Sequence, residues 1–185
     1  MESYDYGQRS GIEEISWERF GALAVLLAER LGALELDAVV GIARGGLFPA
    51  TAVACMLRLD LFPARVTRRV QDQVVYRRPA WVVDVVDVVA AVAGRRVAVV
   101  DEMADTGETL ALAARRVRER GAAHVVTASL IQHSWATPPP DVAAMATDAL
   151  VMFPWDRSVY VEGRWQPHPE LRAALARQAA GRTGS

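Results

Sequence analysis

Val97-Ala98-Val99-Val100-Asp101-Glu102-Met103-Ala104-Asp105-Thr106-Gly107-Glu108-Thr109-Leu110 is the stretch that decides how this chain is read. Its opening apolar run, mostly β-branched, predicts a strand over 97–100 buried on both faces. A polar loop over 101–107 follows, and 108–120 reads as a helix that Gly121 can terminate. Where that loop enters the helix, from Ala104 to Thr109, successive backbone N–H groups, the Thr106 and Thr109 hydroxyls and the helix dipole can converge on a dianionic phosphate. Gly107 lets the backbone come close. Directly before it, Asp101 and Glu102 place two carboxylates at the strand's carboxyl end, suited to a vicinal diol and to a hydrated magnesium ion. A phosphate beside a diol is the chemistry of a ribose 5-phosphate.

Working outward, the same grammar occurs earlier. Residues 38–42 form a short apolar run, Ala43, Arg44, Gly45 and Gly46 interrupt it, and 47–58 reads as a helix with Pro49 in its first turn. Residues 125–131 supply a further strand. Strands alternating with helices predict an α/β fold with a mostly parallel sheet covered on both faces. Ligands of such sheets bind beyond the carboxyl ends of the strands, where both polar loops lie. Ser16 is the expected N-cap of a first helix whose apolar face is Trp17, Phe20, Leu23, Leu27 and Leu31, with Gly32 as its stop. Trp17 and Cys55 read as core residues. Arg65, Arg68, Arg69, Arg77 and Arg78 make 65–78 a hairpin or mobile excursion outside the core, either a solvated face or a flap closing over pyrophosphate. Asp84 and Asp87 sit among valines at a spacing that fits neither strand nor helix. Pro138, Pro139 and Pro140 break the chain, 148–153 reads as a last strand, and 177–185 as a frayed tail.

The composition bounds the function. With 185 residues, 52% of them hydrophobic, the chain reads as one domain over 1–185 with its core over about 15–156. Charges nearly cancel, 21 basic against 22 acidic, so no global field draws in nucleic acid or an anionic membrane. Every basic residue is arginine, which excludes lysine Schiff bases and a P-loop lysine. The single cysteine forms no internal disulfide, and His124, His133 and His168 lack metal-ligand spacing. The polar start of the chain has no export signal, and Asp84, Asp87, Arg95 and Arg96 break up the most apolar stretch, so a cytoplasmic protein outside the membrane is expected.

Residues 97–110 resemble the signature of the type I phosphoribosyltransferases: an apolar strand, two acidic residues, then Asp-Thr-Gly before a helix. Val40-Gly41-Ile42-Ala43-Arg44-Gly45-Gly46 is similar to that family's pyrophosphate loop. Phe153-Pro154-Trp155-Asp156 is similar to the Pro-Trp-acidic segment of its xanthine-guanine members. Asp105-Thr106-Gly107 also marks aspartic proteases, but their β-rich fold places no alanine- and arginine-rich helix after it.

The resemblance implies a mostly parallel sheet flanked by helices with a small hood subdomain. It implies transfer of a phosphoribosyl group from phosphoribosyl pyrophosphate to a ring nitrogen of a purine-like base, with magnesium as cofactor and a homo-oligomeric assembly. The donor would be bound by Asp101, Glu102, Ala104, Asp105, Thr106, Gly107, Glu108, Thr109, Arg44 and Gly45. Arg44 and the Gly45 and Gly46 amides would stabilise the charge that develops on the leaving group. Asp105 would take or hold the proton of the base. The family also allows a cis peptide at Ala43-Arg44. Glu102 and Asp156 are the implied metal contacts.

The base site departs from the purine pattern. His133 falls where purine members carry a lysine that meets an exocyclic oxygen, and Leu150 falls where they stack an aromatic ring. Val151 would offer backbone groups to the purine edge, and Asp156 would accept from a ring or amino N–H. These departures leave open a modified purine, such as a deazapurine, or another heterocycle. A pyrimidine or orotate enzyme differs only in this pocket, and 153–156 speaks for purine. A regulator of the same fold that senses the donor and binds RNA or DNA is the alternative from another class, weakened by the balanced charge.

Overall fold

The computed structural model describes residues 9, 11–67, 69–70, 73–74, 78–84, 91–169, 172 and 176. They fall into two compact units, one of 22–147 and one built from residues up to 21 together with 148 onward.

The larger unit is organised by a six-stranded sheet. Its strands, in chain order, are β2 (Ala38–Ala43), β3 (Asp60–Thr67), β6 (Ala80–Asp84), β7 (Arg96–Ala104), β8 (His124–Gln132) and β9 (Val142–Ala146). They lie side by side as β6-β3-β2-β7-β8-β9, all neighbours parallel except β6, which runs antiparallel to β3. The central strands are apolar on both faces because helices cover both: Val39, Val40, Val97, Ala98, Val99 and Val100 are fully buried. Among the described residues its longer helices are α2 (Leu47–Leu57), α3 (Glu108–Glu119) and the part of α1 (Trp17–Gly32) from residue 22 on. In α3, Leu110, Ala113, Ala114 and Val117 recur at helical spacing and are buried, while Arg116 turns outward to pair with Glu119 at 2.9 Å. Gly121 ends that helix with φ +86° and donates its N–H to the Arg118 carbonyl. No described helix is long and apolar enough to cross a membrane.

The smaller unit pairs β1 (Ile12–Glu14) in parallel with β10 (Leu150–Met152) and forms an antiparallel hairpin from β11 (Ser158–Val161) and β12 (Arg164–Pro167). Ser16 caps α1 as expected, its Oγ accepting the Arg19 N–H at 3.1 Å. Phe153 stacks on Trp155 with centroids 4.8 Å apart, and Phe20 meets the same indole edge-on at 5.3 Å.

Several expectations need correction. Trp17 is 57% exposed: it lies in the first turn of α1, at the rim of the Phe20–Trp155 cluster. Cys55 is exposed as well, one step of helix rotation past the buried Val53 and Ala54. Arg65 belongs to β3, a core strand whose Ala64 and Val66 are buried, and only β4 (Arg69–Val70) and β5 (Gln73–Val74) make the expected hairpin-like pair. Arg68 and Arg77 lie outside the described residues, as do Asp87 and the tail at 177–185. Asp84 ends the edge strand β6. The strand at 150–152 is not the last, since β11 and β12 follow it.

Candidate active site

The strand order places a topological switch between β2 and β7. From β2 the chain goes outward to β3, and from β7 it goes the other way to β8. Pairing of β2 with β7 ends at Gly41 opposite Val100, so beyond that point the two chains part and leave a crevice at their carboxyl ends. The turn after β2 and the loop after β7 are its two walls.

The loop is shorter than the sequence predicts. Asp101 and Glu102 are still strand, because β8 continues to offer a ladder: Asp101 stands opposite Ser129 and Ala104 opposite Gln132. Only 105–107 is loop. This puts the Asp101 carboxylate inside the protein, 9% exposed, with Oδ1 accepting the Glu102 N–H at 2.8 Å. Burial pushes its pKa up to about 7 from the ordinary 3.8, against the opposing pull of that backbone hydrogen bond.

The two acidic side chains interlock with the glycine turn. A Cβ added to Gly45 would lie 1.4 Å from Glu102 Oε2. One added to Gly46 would lie 2.7 Å from Asp101 Oδ1 and 2.6 Å from the Ile42 carbonyl oxygen. A Cβ at Gly46 is therefore barred by backbone, one at Gly45 meets only the movable end of Glu102, and this carboxylate pair within β7 packs directly on the turn after β2. The Ala43–Arg44 peptide is cis. The carbonyls of Arg44, Gly45 and Gly46 accept the N–H groups of Leu47, Phe48 and Ala50 and so start α2, and Arg44 itself is exposed.

On the other wall, Gly107 has φ +83° and is the residue from which α3 starts, with no side-chain cap on that end. Its α-carbon faces the Pro138 carbonyl, whose oxygen would be 2.1 Å from an added Cβ. Thr106 Oγ1 accepts weakly from the Glu108 N–H at 3.4 Å, and the Thr106 carbonyl accepts the Thr137 N–H at 2.9 Å. Ala104 is buried beneath the turn; Thr106 and Glu108 are exposed and Thr109 is half-buried. The uncapped end of α3 and the flanking hydroxyls thus form one concave turn fit for an anion.

Asp105 is quarter-exposed and accepts the Trp135 indole N–H at 3.1 Å on Oδ1. His133 is fully buried; its Nδ1 meets the Thr147 carbonyl, and its ring stacks on Trp135 at 4.5 Å. Its side chain offers no exposed edge in this arrangement. The sequence reading missed Trp135, although an indole two residues past His133 in a polar loop was the available signal. Leu150, Val151 and Asp156 belong to the smaller unit: Leu150 is buried in β10 with its N–H on the Gly11 carbonyl, Val151 is half-buried, and Asp156 is exposed.

A family model, the phosphoribosyl transferase domain, matches residues 16–162. The chain belongs to the phosphoribosyltransferase family. This phosphoribosyltransferase chain is 30% identical over 150 residues to a xanthine-guanine phosphoribosyltransferase of Idiomarina loihiensis, covering 80% of this chain and 89% of that one. It is 34% identical over 119 residues to an adenine phosphoribosyltransferase of Mycobacterium tuberculosis, covering 62% of this chain and 56% of the other. Among solved structures, a purine phosphoribosyltransferase from Pyrococcus horikoshii is similar with TM-score 0.69 and 27% identity, over 82% of this chain and 98% of that one. The mostly parallel, helix-flanked sheet described above matches this family's fold.

Proposed function

We propose that this phosphoribosyltransferase moves the 5-phosphoribosyl group of phosphoribosyl pyrophosphate onto a ring nitrogen of a purine-type base and releases pyrophosphate. The observation that carries the reading is the interlock at the switch point, where Glu102 and Asp101 occupy the space that side chains at 45 and 46 would take. It brings a carboxylate pair suited to a diol and a glycine turn suited to a diphosphate into one crevice. The relatives named for purine substrates support the choice of acceptor class.

The 5-phosphate would seat on the 104–109 turn, held by backbone N–H groups, Thr106 and Thr109. The ribose hydroxyls would donate to Asp101 and Glu102, and Arg44 with the amides of Gly45 and Gly46 would face the diphosphate. As the anomeric bond breaks, positive charge grows on the ribose and negative charge on the leaving group, and these fixed groups stabilise both. Asp105 would face the acceptor base and take its proton. Among the described residues no cluster of three ligating side chains gathers. Two adjacent carboxylates fit magnesium all the same, since that ion takes most of its oxygens from water and substrate phosphates. Asp101 and Glu102 would hold it, and when bound it would neutralise diphosphate charge.

Incubation with magnesium, phosphoribosyl pyrophosphate and a panel of guanine, hypoxanthine, xanthine, adenine and a 7-deazapurine, read by product mass, tests the reading. A nucleoside monophosphate from at least one purine-type base is expected, with pyrophosphate released in equal amount. Donor bound but no base consumed would favour the regulatory alternative.

Gly45→Ala separates fold from function. The added methyl meets only the flexible end of Glu102, so the carboxylate swings aside while the backbone stays. Donor affinity is expected to fall about tenfold to hundredfold, the loss of one charge-assisted hydrogen bond. The melting temperature should change by less than about 2 °C, as for a substitution that leaves the core intact. Unchanged donor affinity would remove Glu102 from the site.

A further inference from the structure

Among the described residues no group satisfies one buried nitrogen of His133. The Thr147 carbonyl beside its ring can accept but not donate, so Nδ1 carries the hydrogen, and in the neutral form of the ring Nε2 then holds a lone pair. Nε2 has no hydrogen-bond partner among the described residues, and it lies 3.9 Å from Asp105 Oδ1. Among the described residues Asp105 is the only carboxylate within ion-pair distance of the ring. Trp135 covers one face of the imidazole and donates its indole N–H to that same Oδ1. A buried acceptor without a donor is costly, and a carboxylate 3.9 Å away relieves that cost whenever it carries a proton it can give.

We infer that His133 is the positioning partner of Asp105 and the resting place of the proton that the acceptor base gives up, with Trp135 fixing the carboxylate between them. The inference rests on the transferase reading. As the base nitrogen bonds to the ribose carbon, its N–H bond breaks and the proton passes to the Asp105 carboxylate. The resulting carboxyl O–H then breaks in favour of a new Nε2–H bond. Asp105 regains its charge beside an imidazolium whose Nδ1–H stays on Thr147, and the proton returns to water after the nucleotide leaves. The 3.9 Å separation has to close by about 1 Å, as catalytic contacts commonly do once substrate binds. His133 thereby trades the role of a ligand contact for one that acts through Asp105.

Two measurements test this. Ring nitrogen spectra of the full chain at pH 8, with His133 assigned by comparison with His133→Gln, should show hydrogen on Nδ1 and a bare Nε2. The opposite tautomer would overturn the dyad. Kinetics then use whichever base of the panel turns over. His133→Gln can still donate to Thr147 but cannot take a proton; it is expected to lower kcat about a hundredfold. It should leave KM for the donor unchanged and flatten the acidic limb of the kcat profile. His133→Phe, which keeps the ring stacked on Trp135, should behave alike. Both variants at wild-type kcat, beside a crippled Asp105→Asn, would overturn the dyad alone. No turnover with any base, or Asp105→Asn at wild-type kcat, would overturn the transferase reading and the dyad with it.

Discussion

Gly107→Ala should lower the melting temperature by about 10 °C and abolish donor binding. A side chain at φ +83° costs about 1–2 kcal/mol by itself. The steric clash costs more. The new Cβ would sit 2.1 Å from the Pro138 carbonyl oxygen and 3.1 Å from the Thr137 carbonyl carbon, both backbone atoms that no rotamer change can move. Relief requires the 105–107 loop and the 137–138 segment to separate, which also breaks the Thr137 N–H to Thr106 carbonyl bond. A total of about 3–5 kcal/mol follows, which at this chain length is roughly 2–4 °C for each kcal/mol. The separation also takes the N–H groups at the start of α3 out of convergence, so the variant should fail to bind donor even below its melting point. A variant that melts with the wild type and binds donor normally would show that the turn has room this geometry denies it.

Asp101→Asn should stabilise the ligand-free protein at pH 8 and remove its activity. Burial raises the carboxyl from 3.8 to about 7, so the folded chain binds the proton more tightly than the unfolded chain. The sign follows from linkage. Below pH 4 both states are protonated and burial carries no ionic penalty; as pH rises through the window from 4 to 7, the unfolded state ionises first and stability is lost. Above pH 7 the folded state carries the full penalty, about 4 kcal/mol by the size of the rise. Asparagine fills the same space and can keep the bond from the Glu102 N–H, but it never ionises. Urea melts of the two proteins should coincide near pH 4 and diverge as pH rises, the variant becoming more stable by up to about 4 kcal/mol at pH 8. The variant also loses the charged acceptor for the ribose diol, so donor affinity should fall at least about tenfold. Parallel pH profiles for the two proteins would mean that Asp101 is solvated in solution. A site residue that destabilises its own fold is the pattern expected where function sets the residue.

Particular residues explain what the sequence disclosed. Strands β2 and the first half of β7 were legible because burial on both faces makes them unbroken apolar runs, and α3 because its buried positions recur at helical spacing. Strand β3 was illegible: Asp60, Pro63 and Arg65 disguise it. Among the described residues β6 pairs with β3 only from Ala64 on, so no described strand asks Pro63 for the N–H it lacks on that edge. The carboxylates at 101–102 read as loop because polar residues rarely continue a buried strand, and nothing local reveals that β8 extends the ladder beside them. The turn at 104–109, where a phosphate is expected, spans six residues, and so its shape was readable locally. His133 was not, since its partner Thr147 is fourteen residues away and its orientation depends on the loop that returns between them.

The most direct test of the account is titration calorimetry of phosphoribosyl pyrophosphate into the wild-type chain with magnesium, repeated with Gly45→Ala. The account predicts saturable uptake of one donor per chain, weakened about tenfold to hundredfold by the added methyl. No uptake by the wild type, or equal uptake by both proteins, would contradict a donor site built from the turn at 45–46 and the carboxylates at 101–102.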